Sequence, residues 1–98
     1  GSGFALNNIV TTTADPTQLD GTESVVLING NHHVILPTDA NSKKGDVIIV
    51  TTIANGGGTP QINATNVVAG GPYVIDAVGD FAICVYTGDA WAVGISVS

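Results

Sequence analysis

The chain has 98 residues, 44% of them hydrophobic and 10% charged, with eight acidic residues against two basic ones for a formal net charge of −6. This length fits one domain, and so few Lys and Arg residues argue against nucleic acid as a partner, because phosphates need basic side chains. The single cysteine excludes an internal disulfide and a zinc site built from cysteine pairs. No apolar run approaches the roughly 18 residues of a membrane span, so membrane insertion is not expected.

The first residues are set apart from the domain. Residues 1–3 (GSG) have the composition of an expression scar, and we exclude them from the fold. Residues 4–22 are predicted to form an N-terminal lead-in with the first strand, and residues 23–98 a β-structured knob, the whole of 4–98 being one domain. With neither an initiator Met nor a signal peptide, we expect the chain to be the C-terminal part of a longer protein.

A hairpin is predicted from the first strong turn signal. Asn29-Gly30 follows the apolar run 23–28, and Asn-Gly tolerates the positive φ angles of a tight hairpin turn. Residues 32–36 are therefore expected to pair back onto that run. Pro37 ends this returning strand because proline cannot donate to a sheet ladder.

The remaining apolar segments are short, rich in β-branched residues and separated by Gly, Pro and Asn, and none has the 3.6-residue period of an amphipathic helix. This pattern predicts an all-β fold, which we interpret as an antiparallel β-sandwich of the jelly-roll type. The other strands are predicted, in chain order, at residues 8–13, 46–53, 61–64, 66–69 and 73–75, followed by a second hairpin of residues 80–86 and 91–97.

Several predicted strands are apolar on both faces. Residues 25–28, 34–36 and 47–50 are continuous apolar runs, and residues 81–86 are apolar on both faces, whereas a strand with one solvated face alternates apolar and polar residues. A two-sheet sandwich buries only the inner face of each sheet, and this sequence predicts no helix to cover the outer one. We therefore expect a homo-oligomer with a large apolar interface. The alternative is that a few apolar residues are simply exposed, as on most proteins.

Three short segments combine turn and strand signatures. They are a strand that ends in Leu-Pro at residues 34–38 (VILPT), a Gly-Asp that opens an Ile/Val strand at residues 44–51 (KGDVIIVT), and a late hairpin at residues 85–93 (VYTGDAWAV). Together they resemble the C-terminal tip (knob, receptor-binding) domains of tailed-bacteriophage tail fibres and tail spikes, over about residues 24–97. The resemblance implies a homotrimeric all-β domain in the virion, outside the cell, which attaches to lipopolysaccharide, capsular polysaccharide or an outer-membrane protein of the host.

No segment has the signature of a catalytic centre. His32 and His33 are neighbours on a predicted strand and point to opposite faces, so they cannot chelate one metal from within that strand. The acidic residues are scattered through predicted loops, where such residues commonly cap turns, and no nucleophile comes with a positioned base. We therefore predict that the protein is not an enzyme and uses no cofactor.

Two side chains have alternative roles. No metal site is predicted from one chain, but on the threefold axis of a trimer three copies of His32 would converge and hold a metal or an anion. The alternative is a histidine that is hydrogen-bonded at a strand end, beside the Asn29-Gly30 turn. Cys84 lies mid-strand between apolar neighbours and is expected to be a small buried residue rather than a reactive thiol.

Receptor contacts are expected in loops, where a rigid β scaffold presents polar groups to a ligand. The only two basic residues, Lys43 and Lys44, would contact phosphates or carboxylates of a bacterial surface; the alternative is that they solubilise a loop or guard a sheet edge. Trp91 and Tyr86 lie in predicted strands and are expected to fill a core or an interface. The full set of predicted receptor-binding residues is Lys43, Lys44, Asp39, Asn41, Tyr73 and Asp89.

Two other functions stay open on the sequence alone. One is a structural domain that trimerises and caps a fibre without touching a receptor, in which case loop variants would still adsorb to cells. The other is a monomeric carbohydrate-binding module of a secreted protein, which predicts a stable monomer with an aromatic pair lining one groove.

Overall fold

The computed structural model describes residues 8–98, which form nine β-strands and one short 3-10 turn (Asp39–Asn41), with no α-helix among them. The scar predicted at residues 1–3 and the start of the predicted lead-in lie outside the described residues. The strands are β1 (Ile9–Thr11), β2 (Thr17–Gln18), β3 (Val25–Asn29), β4 (His33–Ile35), β5 (Val47–Ala54), β6 (Gln61–Asn63), β7 (Tyr73–Val74), β8 (Phe81–Tyr86) and β9 (Trp91–Ser96).

The strands form two mixed sheets. The five-stranded sheet has the order β1-β3-β5-β8-β9, and the four-stranded sheet has the order β2-β4-β6-β7. Up to β6 the chain alternates between the sheets, so that each strand from β3 to β6 lies parallel to the strand two positions before it. The pairs β1–β2, β3–β4 and β5–β6 are thus three stacked coils, and β7, β8 and β9 are added antiparallel.

The all-β prediction is confirmed, but the antiparallel jelly-roll sandwich is wrong. Four of the seven strand pairings within residues 8–98 are parallel. Parallel neighbours need a crossover connection, and here the crossover is a strand of the opposite sheet rather than a helix. The three coils account for the short strands and frequent turns from which the sequence predicted a sandwich.

The hairpin predicted at Asn29-Gly30 is also wrong, for a local reason. A tight Asn-Gly hairpin needs positive φ at both turn residues. Gly30 has a φ of 136°, but no residue other than glycine has positive φ in the described part of the chain, so Asn29 does not adopt the required angle. The chain instead turns a corner from β3 in one sheet into β4 in the other.

The C-terminal hairpin is confirmed, with β8 and β9 paired from Tyr86 opposite Trp91 to Phe81 opposite Ser96. The strands predicted at residues 8–13, 46–53, 61–64 and 73–75 correspond to β1, β5, β6 and β7. No strand forms at residues 66–69, where Val67 makes only an isolated bridge to Trp91. β2 lies in a segment for which no strand was predicted.

The core lies between the two sheets and is formed by their inward side chains together with residues of the connecting segments. The rings of Tyr86 and Trp91 meet in it with centroids 5.3 Å apart and planes inclined at 58°. Cys84 is buried nearby, and burial raises the pKa of its thiol to about 12. The predicted core roles of these three residues are therefore confirmed. The buried cluster consists of Leu19, Val26, Ile28, Val34, Leu36, Ile48, Val50, Ile62, Ile75, Ala82, Cys84, Tyr86 and Trp91.

Candidate functional sites

Five of the six predicted receptor-binding residues are exposed at one end of the molecule, which we call the loop end. It is formed by the segment that leads from β4 to β5 and by the turn between β8 and β9. The two are joined where the Gly45 N–H donates to the Tyr86 carbonyl oxygen at 2.8 Å. The five predicted residues at the loop end are Asp39, Asn41, Lys43, Lys44 and Asp89.

Asn66 ties the two halves of the loop end together. Its amide Nδ2 donates to the Asp89 carbonyl oxygen at 2.6 Å and to Asp39 Oδ2 at 3.3 Å. The backbone of the same residue accepts a 3.0 Å hydrogen bond from the Trp91 N–H. Asn66 was not among the predicted site residues, since an asparagine in a loop 23 and 27 residues away from its partners gives no local sequence signal.

Asp39 is further fixed by an aromatic hydroxyl. Tyr86 donates from its hydroxyl to Asp39 Oδ1 at 3.0 Å. Burial raises the pKa of Tyr86, and the hydrogen bond to Asp39 and its negative charge raise it further. Because one oxygen faces Tyr86 and the other faces Asn66, the Asp39 carboxylate is an organised part of the loop end rather than a free ligand for a receptor.

The two lysines differ in their surroundings. The backbone N–H of Lys43 donates to Asp46 Oδ2 at 2.8 Å, which holds the loop as it enters β5. The side chain of Lys44 runs alongside Gly88, where a β-carbon on the glycine would lie 3.5 Å from three of the lysine carbons. Both lysines are exposed and their placement is compatible with contact to an anionic surface.

Tyr73, the sixth predicted residue, lies apart from the loop end and is half-buried rather than exposed. Its ring packs on Gly70 and Gly71 and against the core, and its hydroxyl donates to the Ala69 carbonyl oxygen. In the register of the sheet it lies opposite the buried Ile62, which explains why its ring faces inward. Tyr73 therefore lines a depression, and its ring is not freely exposed for a ligand to stack on.

A groove crosses the outer face of the four-stranded sheet. It is open to solvent and has a volume of about 400 Å³, and a smaller depression of about 230 Å³ shares Asn63 and Ala64 with it and extends to Tyr73. Ile35 and Asn63, which pair across β4 and β6, lie on its floor. The groove is lined by Asp15, Pro16, His33, Ile35, Asn63, Ala64 and Thr65.

Two polar residues of the groove, Asp15 and His33, are held in place by local hydrogen bonds. Asp15 Oδ1 accepts a 2.7 Å hydrogen bond from the backbone N–H of His33, which fastens the loop before β2 to the start of β4. The Nε2 atoms of His33 and Gln61 lie 3.2 Å apart on neighbouring strands. A carboxylate, an imidazole, an amide and a hydroxyl thus stand beside the apolar surface of a proline, an isoleucine and an alanine.

His32 occupies a turn and is engaged within its own chain. Its Nδ1 lies 2.7 Å from the hydroxyl oxygen of Thr12, which also accepts the Asn29 N–H at 3.0 Å. This is the hydrogen-bonded strand-end arrangement given above as the alternative to an axial ligand. Among residues 8–98 no group of three or more His, Cys, Asp or Glu side chains is placed to hold a metal ion.

The outer face of the five-stranded sheet is the third notable surface. Along β8, buried Ala82, Cys84 and Tyr86 alternate with exposed Phe81, Ile83 and Val85. The prediction that strands are apolar on both faces is therefore confirmed for β8. β3 and β5 follow the same pattern with half-buried outer residues.

Comparison with protein-family models, with curated proteins and with solved structures finds no match for this chain in any of the three. In residues 8–98 there is no helix with the length and apolar character needed to cross a bilayer.

Proposed function

We propose that this chain is the C-terminal domain of a tailed-phage fibre, placed on the outside of the virion as a homotrimer, and that it recognises the surface of the host cell without catalysing a reaction. The phage assignment rests on the three segments at residues 34–38, 44–51 and 85–93. The observation that best supports recognition is the groove on the outer face of the four-stranded sheet.

The groove has the chemistry of a saccharide site. Ligand sites are concave, mostly apolar surfaces of about 300–1,000 Å³ with a few fixed polar groups. A sugar ring presents hydroxyls at its rim and C–H groups on its faces, and Asp15, His33, Asn63 and Thr65 offer partners for the former. The apolar atoms of Pro16 and Ile35 would pack against the latter. We therefore favour a surface polysaccharide or lipopolysaccharide over an outer-membrane protein as the receptor.

The loop end is the second candidate contact. Lys43 and Lys44 there would approach phosphates or carboxylates of the same bacterial surface, as the sequence predicts. Weak binding at each domain is sufficient, because several domains on one particle multiply the avidity.

Binding of a fluorescent fusion to bacteria tests the proposal. The fusion is offered to a broad panel of Gram-negative and Gram-positive strains by flow cytometry, and to an array of their purified surface polysaccharides. We expect binding to some strains, with Asn63→Ala weakening it about 10-fold through the loss of an amide hydrogen bond to the ligand. Ser96→Ala, on the opposite sheet, serves as the control and is expected to bind like the wild type.

The other outcomes separate the alternatives. If the Lys43→Ala/Lys44→Ala double variant loses binding and Asn63→Ala does not, the receptor site is the loop end and not the groove. If no strain and no polysaccharide is bound, the domain is a structural cap, a role that the apolar face of the five-stranded sheet would also serve. If the chain binds a polysaccharide while remaining a stable monomer, the protein is a carbohydrate-binding module.

A further inference from the structure

The five-stranded sheet carries no charge. Its strands β1, β3, β5, β8 and β9 contain no Asp, Glu, Lys, Arg or His. All charged residues of the described chain lie in the connecting segments. Strands with one solvated face normally alternate apolar residues on the inner face with polar residues on the outer face. An uncharged outer face on five adjacent strands therefore calls for a physical explanation.

Most outward side chains of this sheet are apolar, although the row that contains Leu27 and Phe81 also includes Thr11, Thr51 and Ser96. One row crosses four neighbouring strands through Ile9, Val25, Ile49 and Ile83, as the register of the pairings shows. Ile9 is 61% exposed and Ile83 is 45% exposed, so solvent reaches the row in a single chain. We call this surface the apolar face; it consists of Ile9, Val25, Leu27, Val47, Ile49, Phe81, Ile83 and Val85.

We propose that the apolar face is the surface on which copies of this chain meet. This inference rests on the trimer of the proposed function and deepens it by naming the contact surface; it does not depend on which molecule the groove binds. A second copy fits because neighbours in a trimer meet through different parts of one surface, and an uncharged, apolar face can pack against any part of the same face on another copy without leaving a charge unpaired.

The size of the face suits a modest but specific interface. Five strands about 4.8 Å apart, with lengths from about 10 Å for β1 to about 26 Å for β5 and a mean of about 18 Å, give a face of roughly 400 Å² in projection. Two such faces cover roughly 800 Å², and their accessible area is larger because the side chains stand out from the sheet. Specific interfaces begin at about 1,000 Å² of accessible area, so we expect association that responds to concentration.

Charge favours the same surface. Each chain carries a net charge of −6, so copies repel one another wherever their loops approach. Contact through the apolar face keeps the charged loops at its margins and removes no charge from water. Added salt screens the remaining repulsion, and we therefore expect salt to strengthen the association.

The primary test is the mass in solution, measured by light scattering on a sizing column with the chain at about 100 µM, well above a Kd near 1 µM. The proposal predicts a multiple of the 9.8 kDa of one chain, three-fold for the trimer. Val85→Glu on the apolar face is expected to raise the dissociation constant at least about 100-fold, because it buries a charge. Val74→Glu on the other sheet is the matched control, since Val85 and Val74 are 36% and 40% exposed, and it is expected to keep the wild-type mass.

A second measurement guards against misfolding of the charged variant. The Val85→Cys and Val74→Cys variants are alkylated with iodoacetamide at high and low protein concentration, against a background in which native Cys84 is buried. Alkylation at position 85 is expected to be slowed at least about five-fold at high concentration and to recover on dilution, whereas alkylation at position 74 stays constant.

Each outcome decides the proposal. The proposal is overturned if the wild-type protein has the solution mass of one chain at high concentration and high salt. It is also overturned if Val85→Glu and Val74→Glu lower the solution mass equally. Concentration-dependent protection at position 74 in place of position 85 would move the interface to the four-stranded sheet. None of these results bears on polysaccharide binding, so failure of this inference and failure of the recognition function are distinguished.

Discussion

The indole Nε1–H of Trp91 donates a 3.0 Å hydrogen bond to the carbonyl oxygen of Pro37, 54 residues earlier in the chain. Both residues are buried, so water cannot replace either partner. In Trp91→Phe the Pro37 carbonyl would keep only a long 3.4 Å hydrogen bond from the Ser42 hydroxyl. We expect this variant to lower the free energy of unfolding by about 2–4 kcal/mol, because a poorly satisfied buried carbonyl costs about 1–3 kcal/mol and the smaller ring leaves a cavity. Urea denaturation at one fixed protein concentration measures this.

Tyr73→Phe is the matched control for that experiment. It also removes one hydrogen bond from an aromatic side chain to a backbone carbonyl, that of Ala69, but although the Tyr73 ring is half-buried this hydrogen bond is solvent-exposed, so water can replace the lost hydroxyl. We expect Tyr73→Phe to lower the free energy of unfolding by less than about 1 kcal/mol. If the two variants lose the same free energy of unfolding, burial does not make the Trp91–Pro37 hydrogen bond more stabilising than an exposed one.

Two glycines with similar backbone angles separate strain from steric overlap. Gly21 and Gly45 have φ of 96° and 91°, but a β-carbon on Gly21 would lie 2.2 Å from the Asn41 carbonyl oxygen, whereas one on Gly45 would meet nothing within 4 Å. We expect Gly45→Ala to cost about 1–2 kcal/mol from the left-handed conformation alone. Gly21→Ala should cost about 1–3 kcal/mol more, since a backbone oxygen has to move.

Thermal unfolding of both variants measures the difference. A similar loss of stability in the two variants would mean that the loop around Gly21 can shift to accommodate a β-carbon at little cost. The loop end would then be less firmly built than the contact between Gly21 and Asn41 indicates.

Asp80 is expected to make the stability of the fold depend on pH. Burial raises the pKa of its carboxyl, but hydrogen bonds from the backbone N–H groups of Ser98 and Ala77 and from the Ser98 hydroxyl outweigh this effect and hold the pKa below 3.8. A carboxylate with a lowered folded-state pKa stabilises the fold above its unfolded pKa, and this contribution is lost as the pH falls through the folded value.

We therefore expect Asp80→Asn to melt at a lower temperature than the wild type at pH 7, and the gap to narrow as the pH falls below about 3.8. Melting curves at a series of pH values give the result. A gap that stays constant with pH would show that the carboxylate contributes through hydrogen-bond geometry and not through its charge.

Cys84 is expected to be chemically silent in the folded protein. Its thiol is buried and has a pKa of about 12, so little thiolate is present and reagent has no access. A disulfide-exchange reagent at pH 8 should titrate no thiol before urea is added and one thiol per chain after unfolding. Rapid reaction in buffer alone would show that β8 opens readily at Cys84.

The sequence predicted most strands but misplaced their partners. Apolar runs mark β3, β5 and β8 because burial selects residues along a strand, and this signal is local. Whether β4 pairs with β3 or crosses to the other sheet depends on the backbone φ angle of Asn29. The Asn-Gly dipeptide permits a positive φ there but does not require it. The residues of a parallel coil meet others about 16 to 28 positions away, as Ile9 and Val25 do, and no short motif records that contact.

The candidate sites were predicted unevenly for a similar reason. The loop residues Lys43, Lys44 and Asp89 come together because two neighbouring turns share one end of the fold. The groove was not predicted, since Asp15, His33 and Asn63 belong to three successive coils and are adjacent only through the stacking of β2, β4 and β6. The apolar face, by contrast, was foreseeable from composition within single strands.

The stacked coils also suggest how proteins built like this one change in length. Each coil contacts only the coil directly before or after it, so the middle coil, β3–β4, is the one that could be repeated without changing either end of the stack. Duplication of one turn of chain would extend both sheets by one strand spacing, about 4.8 Å, and leave the β8–β9 hairpin undisturbed at its end. The groove and the apolar face would each grow by the same step, so a single genetic event would enlarge both surfaces together.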